Sequence, residues 1–208
     1  MSLLTTWGYT LTEVNELPDM IESDEFNDLT ANKYASDKRV EPDIAAASSA
    51  VRNYCGWHVY PSEECQLNTT FYDRRISIVY GEIMVQLPAS YVTEITSIKI
   101  GGVDHEDYVL EPNGMLRIFN VQWNDVHRYT KIIVDYTAGL PDELMYAVKE
   151  LIAHRVTHAL ASSAGVQSET AGGVSITYNA GWVNSARATA LADDNKEVLA
   201  PYRIQGVF

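Results

Sequence analysis

The sequence predicts an α+β fold with a helical core, made of an early helix, a long central helix and a C-terminal helix, and with an inserted antiparallel β module. Two observations lead to this prediction. Apolar residues recur at helical spacing before Gly56 and again after Pro141. Between Gln66 and Tyr136 the pattern changes to a period of two, with β-branched and aromatic residues in runs that turn formers separate. We therefore place the β module at about 66–136.

The first forty residues are polar and acidic, and their apolar residues show little periodicity. Leu17–Asp19 and Ser23–Phe26 offer helix starts, but no long amphipathic stretch follows them. We expect an N-terminal arm or short helix over 1–40 and a single domain over 41–208.

An early helix is predicted after Glu41. Pro42 suits a first helical position, and Gly56 is a typical C-terminal stop. The apolar positions between them recur every three or four residues: Ile44, Ala47, Val51, Tyr54 and Cys55.

The β module is divided by turn-forming residues. Asn113 and Gly114 predict a tight turn because both tolerate a positive φ, and Tyr80–Glu82 and Gly101–Gly102 look like hairpin turns. The candidate strands are 66–72, 76–80, 83–87, 94–100, 107–110, 115–119 and 131–136.

The central helix begins at Pro141, where a proline and two acidic residues occupy the first turn. Its apolar stripe is Leu144, Val148, Leu151, Ile152, Val156 and Ala159. At ~1.5 Å per residue, a helix that continues to Leu160 is ~30 Å long.

The C-terminal part is less regular. Residues 162–173 are rich in Gly, Ser and Ala and predict a mobile loop, whereas Val174–Tyr178 alternates like a strand. A last helix is predicted over 184–199, and Pro201 ends it.

Composition excludes several functions. The 208 residues carry a net charge of −13, which argues against a protein that binds phosphate backbones because such affinity needs clustered Lys and Arg, and we expect no sequence-specific nucleic-acid binding. The acidity favours ordinary solubility or a surface that must not adhere to DNA. No apolar run approaches the ~20 residues of a membrane span, so we expect a soluble cytoplasmic protein. We interpret Cys55 and Cys65 as reduced thiols.

One group of residues raises the question of metal chemistry. Glu150, His154 and His158 fall on one face of the central helix and could hold a metal ion. Arg155, however, stands where the helical zinc-protease pattern has its glutamate, and a cation next to a metal is unfavourable. No nucleophile elbow, phosphate loop or dinucleotide fingerprint is present, so we expect no enzyme activity, no cofactor and no metal.

Four segments stand in a characteristic order. They are Ile44–Trp57 with its Tyr-Cys-Gly turn, Val85–Gly102 with its Leu-Pro step and Gly-Gly turn, Val134–His154 with its Tyr-x-Ala-Gly strand end, and Gly165–Tyr178 together with Leu199–Arg203. In this order the chain resembles the head-tail connector family of tailed bacteriophages, the portal adaptor or head-completion proteins. The resemblance covers residues 41–203.

This resemblance implies a non-catalytic structural protein of a phage or prophage virion that is made in the host bacterial cytoplasm. Such a protein would form a homo-oligomeric ring that matches the symmetry of the portal, and would link the DNA-filled head to the tail or its stopper protein. The alternatives are a tail-completion or tail-terminator protein and, from another class, a small metal-dependent hydrolase.

Our hypothesis for the assembly interface is a strand, Val174–Tyr178, that lacks a partner until a neighbouring subunit or the portal supplies one. The candidate interface residues are Gly165, Ser168, Glu169, Gly172, Gly173, Val174, Ile176, Tyr178, Tyr202 and Arg203. A second hypothesis is that part of the acidic surface lines the ring channel and repels passing DNA.

Overall fold

The computed structural model describes residues 3–4, 8–11, 16–121, 126–161, 168–171, 174–177 and 193–204, with only the backbone described for 3–4, 168–171, 174–177 and 193–195. The chain divides into two compact units. The sheet unit comprises Met1–Pro18, Cys55–Pro141 and Ala200–Phe208, and the helical unit comprises Asp19–Tyr54 and Asp142–Leu199.

The described strands form three antiparallel sheets. In chain order they are β1 (Leu3–Leu4), β2 (Thr10–Leu11), β3 (Glu63–Thr70), β4 (Ile76–Val79), β5 (Glu82–Gln86), β6 (Val92–Ile100), β7 (Val103–Asp104), β8 (Tyr108–Glu111), β9 (Met115–Ile118), β10 (Lys131–Ala138), β11 (Ser168–Ala171) and β12 (Val174–Thr177). The first sheet has the order β1-β2-β3-β10-β6-β7, the second has the order β4-β5-β9-β8, and β11 and β12 pair with each other.

Strand β10 is central to the first sheet. It pairs with β3 from Lys131 opposite Thr70 to Ala138 opposite Glu63, and with β6 on its other side. Alternate residues of β10 are buried, as the two-residue period of a strand requires. These buried residues are Ile132, Val134, Tyr136 and Ala138.

The opposite face of the first sheet is polar. The side-chain amide of Gln66 donates to one carboxylate oxygen of Asp135 at 2.7 Å, and the hydroxyl of Ser97 donates to the other at 2.6 Å. These three residues are cross-strand neighbours on β3, β10 and β6, so one carboxylate links three strands.

The second sheet buries Ile83 and Val85 of β5 with Leu116 and Ile118 of β9. The turn between β8 and β9 has positive φ at Asn113 (67°) and Gly114 (76°), which confirms the tight turn that the sequence predicts. A Cβ atom on Gly114 would collide with the carbonyl oxygen of Ala89, so no other residue fits there.

The helical unit contains four described helices: α1 (Ser23–Leu29), α2 (Val40–Cys55, ending at the boundary of the sheet unit), α3 (Asp142–Ala161) and α4 (Asp193–Leu199). The ammonium of Lys149 on α3 donates to the carboxylate of Glu25 on α1 at 2.9 Å. The hydroxyl of Ser48 on α2 accepts from the backbone N–H of Met20. The buried face of α3 consists of Met145, Val148, Leu151, Ile152, Ala153, Val156 and Leu160.

Within the sheet unit, a buried hydrogen-bond network joins the N-terminal segment around Tyr9 to the rest of the unit. The Nε2 atom of His58 lies 2.8 Å from the carbonyl oxygen of Ala138, and since a carbonyl only accepts, Nε2 carries the proton. The Nδ1 atom therefore accepts from the hydroxyl of Tyr9 at 2.6 Å, and this hydroxyl oxygen also accepts from the backbone N–H of His58. Both ring nitrogens of the fully buried His58 are thus satisfied.

The predicted fold class, a helical core with an inserted β module, is wrong. The described chain is mostly antiparallel sheet, and its two larger sheets, β1-β2-β3-β10-β6-β7 and β4-β5-β9-β8, form a compact unit with their own buried residues. Sequence pattern overstated the helices because amphipathic periodicity is easy to recognise over the 16 residues of α2 and the 20 of α3. Pairing between β3 and β10, which are far apart in sequence, leaves no such local signal.

The individual elements were predicted better than their arrangement. The structure has a strand at each of the seven predicted places, an early helix at Val40–Cys55 and a long helix at Asp142–Ala161. The short strands β1, β2 and β7 were missed, because two residues carry no periodicity. Of the predicted last helix, 184–192 falls outside the described residues. The division into an arm over 1–40 and a domain over 41–208 stays a prediction.

Loss of the hydroxyl should change the free energy of unfolding differently at Tyr9 and at Tyr136, whose rings are neighbours. Tyr9→Phe removes the hydrogen bonds that the hydroxyl makes with Nδ1 and with the backbone N–H of buried His58, so we predict a loss of about 2–3 kcal/mol in the free energy of unfolding. The buried hydroxyl of Tyr136 has no hydrogen-bond partner among the described residues, so Tyr136→Phe should be neutral or stabilising. Urea denaturation checks both, and a large loss for Tyr136→Phe would contradict this account.

Candidate functional site

The candidate assembly segment forms a β-hairpin within the helical unit. Ser168 lies opposite Thr177 and Ala171 opposite Val174, in antiparallel pairing. The predicted strand from Val174 is therefore present, but it has a partner within its own chain. Residues 168–171 had been predicted as loop because Ser-Glu-Thr-Ala lacks apolar alternation, and here backbone hydrogen bonding decides the conformation.

The predicted interface residues fall into two groups. Four of them lie in the hairpin, Ser168 and Glu169 on β11 and Val174 and Ile176 on β12, and Glu169 is directly opposite Ile176. Four more, Gly165, Gly172, Gly173 and Tyr178, fall outside the described residues.

The remaining two, Tyr202 and Arg203, belong to the sheet unit. The indole N–H of Trp57 donates to the carbonyl oxygen of Tyr202 at 2.7 Å, and the backbone N–H of Ile204 donates to the carbonyl oxygen of Cys55 at 3.1 Å. These bonds fix the short 3-10 turn Ala200–Tyr202 against the segment that follows α2, and leave the side chain of Arg203 exposed.

The three metal candidates lie on the exposed face of α3. Glu150, His154 and His158 are all solvent-exposed. The hydroxyl of Tyr146 donates to the carboxylate of Glu150, and this bond raises the pKa of Tyr146. Within the described part of the chain, no three His, Cys, Asp or Glu side chains come together as a metal-binding group.

Sequence reasoning missed another exposed region, the outer edge of β4 and the turn that follows it. Ile78 is 53% exposed, Val79 is 39% exposed and Tyr80 is fully exposed. Across the same sheet, Val109 of the opposite edge strand β8 is 48% exposed. Apolar residues that are exposed on an edge strand are a signal for an interface, and these residues are present in the sequence. Alternation alone, however, does not show which strands lie at an edge.

The position of β4 is set by a charged turn. Asp73 accepts hydrogen bonds from the guanidinium and backbone N–H of Arg75 and from the hydroxyl of Thr69. The Arg75 guanidinium holds the pKa of Asp73 well below its usual range. Since the carbonyl oxygen of Asp73 also accepts from the N–H of Ile76, this turn leads directly into β4.

The two cysteines are free and buried. Burial raises the pKa of the Cys55 thiol and of the Cys65 thiol to about 12. Because the thiolate is the nucleophile, both are chemically inert in the folded protein at neutral pH.

The family of the chain follows from comparison with known proteins. A family model described as head completion protein matches residues 19–203, which is most of the chain. The chain belongs to the head completion protein family. The match confirms the resemblance and extends it toward the N-terminus, so that it includes α1. A search of curated proteins found no match.

Membership makes this head completion protein a structural component of the phage virion that acts in completing the head. The absence of enzyme activity stays a prediction that agrees with a structural family. In the described part of the chain, no helix has both the length and the apolar character to cross a bilayer.

Metal binding can be tested directly. We predict that the purified protein carries no stoichiometric metal, because Glu150 already accepts a hydrogen bond from Tyr146 and the cation of Arg155 adjoins His154. Elemental analysis by mass spectrometry checks this prediction. One bound zinc per chain that disappears in His154→Ala would reverse it.

The Asp73–Arg75 turn should make stability depend on pH. Because the folded pKa of Asp73 is lowered, its stabilisation is present above the unfolded value near 3.8 and is lost as the pH falls below it. We predict that Asp73→Asn lowers the free energy of unfolding by about 1–2 kcal/mol at pH 7, and that the difference from the parent shrinks below pH 4. Urea denaturation at several pH values measures it.

The chain contains a matched control with the same spacing. Asp37 accepts from Arg39 in the same way, and this bond lowers the pKa of Asp37 to about 2, but the Arg39 side chain is 51% exposed. Asp37→Asn should therefore leave the stability at pH 7 nearly unchanged, since exposed ion pairs contribute little. Equal losses for the two variants would contradict the role of the Asp73 turn.

Proposed function

We propose that this head completion protein is a head-tail connector, which assembles as a ring beneath the portal and links the DNA-filled head to the tail or its stopper protein. The observation that carries the proposal is the family match over residues 19–203. A protein that completes a head is expected to contact the portal, where the head remains open after DNA packaging.

The β11–β12 hairpin supports self-assembly. Among the described residues, these two strands have no third strand beside them. A two-stranded hairpin by itself is marginally stable in water, and each of its outer edges presents backbone groups that a strand from another chain can pair with. We therefore assign the hairpin the role of a segment that a neighbouring subunit or the portal completes.

The charge of the chain supports a passage for DNA. A net charge of −13 on 208 residues gives a protein that repels phosphate groups rather than binding them. In a connector ring this property would let the genome pass without adhering to the channel wall. A ring structure with a neutral or basic channel would exclude this part of the proposal.

The decisive experiment mixes the purified protein with isolated portal rings and images the products by electron microscopy. We predict an additional ring of density on one end of the portal, with subunits in the symmetry of the portal. Co-purification with tail tubes and not with portals would instead favour a tail-completion or tail-terminator protein.

Deletion of residues 165–178 tests the hairpin. The variant should keep a cooperative thermal transition, because it retains every buried residue that the structure describes in the two units, but it should not add to portal rings. Glu150→Gln, on the exposed face of α3, is a control that leaves the hairpin intact and should assemble normally. Unchanged assembly of the folded deletion variant would reject the role of the hairpin.

A further inference from the structure

The second sheet ends in two strands that have no outer neighbour in the described part of the chain. These edge strands, β4 and β8, are both four residues long. Edge strands are normally protected from pairing by shortness, charges, proline or bulges. Strand β4 is short, but its sequence Ile-Ser-Ile-Val has no charge and no proline, and its Ile78 is 53% exposed. An apolar edge of this kind is suited to a short pairing with a further strand.

The same sheet offers the complementary edge. Its four strands are antiparallel throughout, so β4 and β8 run in opposite directions. If β4 of one copy is placed beside β8 of another copy in the same orientation, the new pair is again antiparallel. Such a contact uses two different surfaces, and repeated contacts of this type close into a ring or extend as a filament.

Hydrogen bonds within the sheet show which residues of the two edge strands have backbone groups that face outward. The N–H of Gln86 donates to the carbonyl oxygen of Arg75, so the backbone groups of Ile76 and Ile78 face away from β5. The N–H of Phe119 donates to the carbonyl oxygen of Asp107, so those of Tyr108 and Leu110 face away from β9.

One register satisfies both edges. The outward-facing residues must lie opposite each other, which places Ile78 opposite Tyr108 and Ile76 opposite Leu110. Sliding β8 by two residues one way would put Pro112, which has no N–H, opposite Ile76, and sliding it the other way would shorten the overlap. The N–H of Ile76 already donates to Asp73, so Ile78 provides the outward N–H of β4.

The side chains agree with this register. Ile78 lies opposite Ile83, Ile83 opposite Ile118 and Ile118 opposite Tyr108, so Ile78 and Tyr108 belong to the same, mainly apolar face of the sheet. Joining the two edges would cover the exposed part of Ile78 with an aromatic ring, a favourable cross-strand pair. On the other face, Ser77 would lie opposite Val109, and at the end of the strand Val79 would lie opposite Asp107.

We propose that β4 of one copy pairs antiparallel with β8 of a second copy, in the register Ile78 opposite Tyr108, and that this continuous sheet is an interface between copies of the chain. The proposal rests on the proposed function in one respect, the assembly of the chain with itself. It adds a second contact to that assembly, separate from the β11–β12 hairpin.

Disulfide trapping tests the register. Ser77 and Val109 would form a non-hydrogen-bonded pair, whose Cα atoms lie about 4.5 Å apart, a separation that a disulfide spans. The double variant Ser77→Cys/Val109→Cys should give a ladder of cross-linked oligomers under mild oxidation. Each single variant alone should give no ladder, and an equal mixture of the two single variants should stop at cross-linked dimers. The buried native cysteines contribute little background.

Two substitutions of opposite charge at Val79 test the end of the interface. In the double-cysteine background, Val79→Lys places a cation opposite Asp107 of the next copy and should preserve or increase the rate of cross-linking. Val79→Asp places two anions opposite each other and should slow cross-linking roughly fivefold relative to Val79→Lys. The difference should shrink in high salt. Equal rates for the two variants would overturn the register.

The experiment is run on the free chain and on the chain bound to portal rings. A ladder in either sample supports the β4–β8 interface, whereas its absence in both overturns it. If portal-bound rings form without cross-links, the edge pairing is wrong and the connector function stands. If a ladder forms in a chain that never binds portals, the edge pairing stands and the connector function fails.

Discussion

The placement of β10 between β3 and β6 is the constraint on which the sheet unit depends. Buried alternate residues of β10 give the first sheet its apolar face, while Asp135 on the other face joins three strands through Gln66 and Ser97. Ala138, at the end of β10, provides the carbonyl group that fixes the proton of His58, and through His58 the hydroxyl of Tyr9. The N-terminal segment is therefore held by groups that take up their positions only once β10 is paired.

The elements of this fold could be read from sequence because their signals are local. Asn113 and Gly114 predict their turn since few other residues accept a positive φ, and the strands show a period of two. Their assembly could not be read, because the pairing of Glu63 with Ala138 depends on which buried faces meet and not on either segment alone. The strong periodicity of α2 and α3 therefore suggested a helical core, although a sheet builds its core from many short segments.

The candidate site divides in the same way. The strand over Val174–Thr177 was visible in its alternation, but its partner β11 was not, because Ser168–Ala171 has no preference of its own and takes its conformation from its neighbour. The strand β4 was predicted from the sequence, but its exposed edge was not predicted to be an interaction surface. Whether a strand lies at an edge depends on the order of the completed sheet, β4-β5-β9-β8. Because β4 is an outer strand in this order, its Ile78 and Val79 are exposed.

An even number of antiparallel strands has a consequence for assembly. The two outer strands then run in opposite directions, so each copy of the sheet carries both halves of an antiparallel contact. A contact between two unlike edges leaves one of each kind open at the ends of a growing assembly, and only ring closure satisfies them all. The edges β4 and β8 have only four residues each, so a single contact makes few hydrogen bonds and is weak. In the proposed ring, short edges of this kind would keep isolated copies apart until a template and several contacts acting together stabilise the assembly.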